Sequence, residues 1–214
     1  MAGPPAYEES LRQSFDRMLS EADDFFMERG AIHQTLRDLA SRLDQAAIPY
    51  AILGAIAMGR HGLTRMTVDI DVLLTPGGLA EFKAQCLGLG YVTAFPGANK
   101  TFRAAGTGVR IEVITTGEYP GDGLPKPVSF PDPAEVSVEI GGIRVIALER
   151  LVELKLASGM TAAHRLRDLS DVLDLIRALR LPSDFGGRLD ASVRSMYDEL
   201  WEKAQAPDRV QEEG

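Results

Sequence analysis

Between positions 67 and 74 the chain reads Thr67-Val68-Asp69-Ile70-Asp71-Val72-Leu73-Leu74, closed off by Pro76 and two glycines. A short apolar run of this kind is a strand that a sheet buries, yet it carries two carboxylates. Side chains alternate faces along a strand, so Asp69 and Asp71 project together while Val68, Ile70 and Val72 project the other way. Two carboxylates this close repel unless a cation or a basic group compensates them. An isolated Asp-x-Asp reads as a solvated face or an arginine-bound pair. Inside a buried run it reads as a cation site.

The rest of the chain organises around that strand. Residues 8–28 have Leu11, Phe15, Met18 and Leu19 at helical spacing, which predicts one amphipathic helix ended by Gly30. A second helix is expected over 31–47, with Ile32, Leu36, Leu39 and Leu43 as its apolar stripe. Pro49 opens a short strand over 50–53, Gly54 ends it, and Ala55-Ile56-Ala57-Met58 begins a short helix. Another helix is expected over 78–89, then strands over 91–95, 101–104 and 109–115. The proline- and glycine-rich stretch 116–134 reads as an irregular loop. A hairpin follows, 136–140 and 143–147 about Gly141-Gly142. From 148 the pattern is helical, with breaks at Gly159 and Pro182. The expected fold class is α+β: a mixed sheet with helices packed on it, N-terminal helices and a C-terminal helical region. The division expected is 1–47, N-terminal helices; 48–147, core sheet; 148–206, helical region; and 207–214, disordered tail.

Composition narrows the function classes. The net charge of −8 argues against a broad nucleic-acid surface, and residues 1–50 carry nine Asp or Glu against five Arg and no Lys. Basic residues gather instead at Arg60 and Arg65, at Lys100 and Arg103, and along 150–180. No run approaches the roughly 18 apolar residues of a bilayer span, and the start lacks the pattern of a signal peptide, so a cytoplasmic location without a membrane is expected. The single cysteine, Cys86, sits in an apolar stretch and reads as a buried thiol. His33, His61 and His164 show no metal-ligand spacing.

A third carboxylate, Glu112, stands in Val109-Arg110-Ile111-Glu112-Val113-Ile114. If that strand lies beside the first, three hard oxygen ligands meet, a set suited to Mg²⁺ or Mn²⁺. The alternative is an edge-strand glutamate paired with Arg110. Gly54, followed by Ala55 at a helix start, lets backbone approach a phosphate. Thr67 has the strand parity of Asp69 and would bond a phosphate oxygen or a metal-bound water. Arg65 either neutralises a triphosphate or offsets the aspartates. Lys155, in the apolar stretch Leu151-Val152-Glu153-Leu154-Lys155, either reaches an anion or snorkels to water. Arg165, Asp168 and Asp171 share a helix face, as an ion-pair ladder or as part of a pocket. Tyr119, Lys126 and Phe130, in the loop that follows Glu112 directly, are the expected contacts if that loop caps a site.

Gly54-Ala55, then Arg65 eleven residues on, then Thr67-Val68-Asp69-Ile70-Asp71, resembles the signature of minimal nucleotidyltransferases of the DNA polymerase β superfamily, most closely the AbiEii-type toxin group. Lys155 and Arg165-Leu166-Arg167-Asp168-Leu169-Ser170-Asp171 resemble the helices of the same group. The resemblance covers about residues 50–175. It implies an EC 2.7.7-type enzyme that moves an NMP from an NTP, ATP among them, to a hydroxyl on tRNA, a protein or a small molecule. It implies metal on Asp69, Asp71 and Glu112, a catalytic Asp168, triphosphate held at Gly54, Ala55, Arg65, Thr67 and Lys155, and an antitoxin protein as possible partner. Ala55 departs from the usual second Gly or Ser of the group. A degenerate relative that binds nucleotide without turnover is the second expectation. The oligomeric state is not legible.

Overall fold

The computed structural model describes residues 6–12 and 14–206. The expected tail, 207–214, lies outside the described residues. The chain divides into two compact units: one holds the residues up to Glu118 together with Phe130–Ala147, the other holds Tyr119–Ser129 and the residues from Leu148.

The first unit opens with helices α1 (Tyr7–Arg12), α2 (Phe15–Phe26) and α3 (Gly30–Gln45). The single helix expected over 8–28 is two, because Ser14 adopts an extended backbone and its hydroxyl accepts from the Arg17 amide at 3.3 Å, capping a new helix. Gly30, expected to end a helix, begins α3. Of the predicted first stripe only Leu11 is buried, while Phe15 (68% exposed), Met18 and Leu19 face outward along α2. The stripe of α3 behaves as read: Ile32, Leu36, Leu39 and Leu43 are all buried.

After α3 come β1 (Tyr50–Ile52), α4 (Gly54–Arg60), β2 (Asp69–Leu74), α5 (Pro76–Cys86), β3 (Tyr91–Thr93), β4 (Thr101–Ala104), β5 (Arg110–Thr115), α6 (Pro133–Val136), β6 (Ser137–Ile140) and β7 (Ile143–Ile146). Helix α5 starts two residues before the expected 78, since Pro76 presets the first helical φ and the Thr75 hydroxyl accepts from the Gly78 amide at 2.9 Å. The seven strands form one mixed sheet in the order β3-β4-β5-β2-β1-β7-β6. β1 runs antiparallel to β2 and parallel to β7, and β2 runs parallel to β5. Ile70, Ile111 and Phe102 lie in one row across β2, β5 and β4. Phe82 of α5 meets Phe102 and Tyr91 edge-on, with ring centroids 5.2 and 5.4 Å away. That aromatic cluster closes the apolar side of the sheet, and Cys86 is buried at the end of α5. The loop after β5 is pinned at its base by the Gly117 amide on the Phe130 carbonyl and the Phe130 amide on the Glu118 carbonyl, each at 2.8 Å.

The second unit holds α7 (Leu148–Thr161), α8 (Leu166–Leu179) and α9 (Ala191–Gln205), with short 3₁₀ turns before α8 and α9. Gly159 does not break α7. A Cβ there would stand 2.6 Å from Cγ of Leu169, so the glycine is the residue that lets α8 approach. Propensity alone reads such a glycine as a stop; packing overrides it. Among the described residues no helix is long and apolar enough to cross a membrane.

Candidate functional site

The register of β2 on β5 sets Asp69 beside Arg110 and Asp71 beside Glu112, and that of β5 on β4 sets Arg110 beside Arg103 and Glu112 beside Thr101. In-register neighbours share a face and sit about 4.8 Å apart across strands. Asp69, Asp71 and Glu112 therefore stand together on the face opposite the Phe82 cluster, on the strands expected to hold them. The sheet centre carries them because Ile70, Val72, Ile111 and Val113, one residue out of phase, are buried.

Arg110 is the group the sequence reading used only as a foil. Its Nη2 donates to Oδ2 of Asp69 at 2.8 Å and stands 3.3 Å from Oε1 of Glu112. The signal was present: Arg110 has the strand parity of Glu112, so it had to share the carboxylate face. Asp69 beside it pushes the guanidinium pKa up, so it stays charged throughout the ordinary pH range. Next in the row, Arg103 is taken by Glu8 of α1 through two bonds of 2.6 and 3.0 Å, which hold the Glu8 carboxyl below its usual range. Among the described residues no three acidic, histidine or cysteine side chains are drawn round one point as a metal cage.

Thr67, expected inside the strand, lies before its first residue. Its hydroxyl donates to Oδ1 of Asp69 at 2.8 Å and so orients that carboxylate. Gly54 has φ +61°, in the left-handed region, and the Leu53 amide donates to the Asp71 carbonyl at 2.9 Å. A Cβ on Gly54 would fall 2.2 Å from Oδ2 of Asp71, so the turn and the carboxylate touch. Ala55 is buried in the first turn of α4, whose start has no side-chain cap. Arg65 lines a hollow with Phe25, Phe26, His33, Ile56 and Arg60. His61 meets the Ile146 carbonyl at 2.7 Å.

No family model matches this sequence, and no curated protein does. Solved structures do resemble it. An antigenic nucleotidyltransferase-like protein from Paracoccidioides brasiliensis aligns at a TM-score of 0.50 and 16% identity, covering 79% of this chain and 87% of its own. The fold is nucleotidyltransferase-like. Weaker likenesses, which add no weight, are ANT(2'')-Ia in complex with adenylyl-2''-tobramycin (0.48, 14%, covering 79% and 97%) and protein TM1012 of Thermotoga maritima (0.46, 19%, covering 66% and 91%).

The helical unit of this nucleotidyltransferase-like chain has a charged cluster of its own. Lys155 of α7 donates to Oδ1 of Asp168 at 3.0 Å and to Oδ2 of Asp171 at 2.7 Å, all three being buried. Ser158 and Arg165 donate to Oδ2 of Asp168 at 2.7 and 2.8 Å. Burial works to raise the Asp168 pKa, but Lys155, the Ser158 hydroxyl and Arg165 outweigh it and hold the carboxyl below its ordinary value. Lys155 is thus engaged by two carboxylates, and Ser158, not singled out in the sequence, completes the cluster. In the same unit Lys126 is bound to Asp122, to the Pro120 carbonyl at 2.6 Å and to the Thr161 hydroxyl at 3.0 Å.

Proposed function

We propose that the chain transfers a nucleoside monophosphate from an NTP to a hydroxyl-bearing acceptor, with pyrophosphate leaving. The observation that carries this is the β2–β5 register, which sets Asp71 beside Glu112 with Asp69 on the same face and the Gly54 turn against Asp71. Three hard carboxylate donors on one face, with one guanidinium between two of them, fit a divalent cation such as Mg²⁺ or Mn²⁺. Bound there on Asp69, Asp71 and Glu112, it would supply Lewis-acid activation of the acceptor hydroxyl and of the α-phosphate. Thr67 fixes the rotamer of Asp69, and Gly54 leaves Asp71 room to keep its own. The turn at Gly54-Ala55 offers a triphosphate main chain beside the Asp71 carboxylate, where a cation held by that carboxylate would meet the phosphates. Few groups of the protein act directly as acid or base in this reading; positioning and charge do most of the chemistry.

The test is incubation with Mg²⁺ or Mn²⁺ and each α-labelled NTP, alone and with candidate acceptors. Transfer is expected from the wild-type chain and a loss of at least about 1,000-fold in an Asp69→Asn/Asp71→Asn double variant, which removes both charges and leaves the shape. Activity surviving in that variant would sink the proposal. The AbiEii-type resemblance adds tRNA to the acceptors to be tried and an antitoxin to the partners; the net charge of −8 favours a small acceptor. An RNA acceptor requires binding that weakens steeply with added salt, whereas a small acceptor gives a flat response. A second reading, nucleotide binding without turnover, has its own support in Arg110 occupying two of the three carboxylates. Calorimetric NTP binding with no transfer to any acceptor would select it.

A further inference from the structure

We propose that Arg110 is a built-in counter-ion that a divalent cation must displace from Asp69 and Glu112 before the site can load. The inference rests on the metal-binding reading above and adds to it a residue with a stated job. One atom, Nη2 of Arg110, is 2.8 Å from Oδ2 of Asp69 and 3.3 Å from Oε1 of Glu112. A cation bound by those two oxygens needs the space and the charge complementarity that this atom uses. Arg110 is also about a third exposed, so its guanidinium can leave toward solvent without unpacking the sheet.

The neighbouring strand shows why it does not leave by itself. Arg110 is in register with Arg103, a like charge on the same face. Arg103 holds both oxygens of Glu8. With both Glu8 oxygens bonded to Arg103, Arg110 makes its own bond to Asp69 of β2. In the metal-free protein it screens the repulsion between Asp69 and Glu112, which would otherwise strain the centre of the sheet. A dication entering beside it meets a unit positive charge a few ångströms away, a penalty that lowers affinity by roughly tenfold or more at protein-surface dielectric. The negative charge of an arriving triphosphate removes that penalty by giving Arg110 another partner. Metal alone is bound weakly; metal brought with NTP is bound well.

The experiment is titration of the protein with Mn²⁺ alone, free Mn²⁺ being read by electron paramagnetic resonance, for the wild type, Arg110→Gln, Arg110→Lys and Asp71→Asn. Arg110→Gln is expected to bind Mn²⁺ roughly tenfold or more tightly than wild type, and Arg110→Lys to stay within about threefold of it, because lysine keeps the charge. Thermal unfolding gives an independent readout: Mn²⁺ should raise the midpoint of Arg110→Gln by more than that of wild type. If glutamine at 110 prevents folding, Mg²⁺ titration of wild-type protein, followed by the Nε–H resonance of Arg110, replaces it; a shift saturating together with metal binding is expected. Equal or weaker Mn²⁺ binding by Arg110→Gln, or an Arg110 resonance that ignores Mg²⁺, overturns the inference. Mn²⁺ binding that Asp71→Asn leaves unchanged, or no binding by any form, instead brings down the metal-site reading itself.

Discussion

Gly54→Ala is expected to lower nucleotidyl transfer by about 100-fold while costing the fold only about 1–2 kcal/mol. The two effects have different causes. A residue with a Cβ at φ +61° is strained in the left-handed region, and that strain is the stability cost. The new methyl carbon would also stand 2.2 Å from Oδ2 of Asp71 and 3.3 Å from its Cγ. The contact is to the carboxylate, the far end of a short side chain, so the collision is relieved by turning it away from its present position rather than by moving the backbone. A turned carboxylate no longer faces Glu112 across β2 and β5, and a misplacement near 1 Å is enough for a loss of that order. Comparison of kcat with the urea midpoint checks this: activity should fall far more than stability. A variant that unfolds early but keeps normal turnover when folded would show that the contact has no bearing on the site.

Lys155→Met is expected to destabilise the helical unit by about 3–5 kcal/mol, a large share of the stability of an ordinary domain. Methionine fills the volume but leaves Asp168 and Asp171 buried without the ammonium they share. Arg165 compensates Asp168 only in part, since its own side chain is half-exposed. Trp201 is the only tryptophan and lies in α9, donating to the Leu181 carbonyl at 2.9 Å, so its fluorescence reports unfolding of this unit. The pH dependence has a definite sign. In the wild type Asp168 titrates below its unfolded value of about 3.9, so its contribution is complete above that value and is lost as the pH falls through the lower, folded one. In the variant the burial effect on Asp168 dominates, its carboxyl takes up a proton at higher pH, and the penalty shrinks as it becomes neutral. The gap between wild type and variant should therefore be widest near neutral pH and close toward pH ~4. A gap that is constant with pH would assign the loss to packing alone.

What was legible in the sequence follows from the range of each interaction. The two-residue alternation of 67–74 and 109–115 is local, and it placed Asp69, Asp71 and Glu112 on buried strands. The side chains of Ile32, Leu36, Leu39 and Leu43 likewise marked the inner face of α3. The break at Ser14 was masked, because the amphipathic pattern continues through the cap and only the extended backbone of Ser14 reveals it. Pro76 was read as the end of a strand when it was the first residue of a helix; both readings use the same missing N–H. Gly159 was misread because its reason, Leu169 on another helix, is not local. Pairings were harder still. Lys155, Asp168 and Asp171 had each drawn notice, but nothing in their spacing says that one ammonium serves both acids. The bond from Arg110 to Asp69 depends on a register between strands some forty residues apart.

The position of β1 has a consequence for how such a chain is made. Its Ile52 pairs on one side with Val72 of β2, which the ribosome delivers soon after it, and on the other with Val145 of β7, which arrives much later. Until then β1 is an open edge, its backbone donors unpaired on that side, and parallel pairing over such a separation is slow to form. The strands that carry Asp69, Asp71 and Glu112 can already stand side by side in a nascent chain that ends near Thr115. A chain of that length would have its carboxylate-bearing strands in register with an unguarded strand beside them, and unpaired edges of that kind favour aggregation during synthesis.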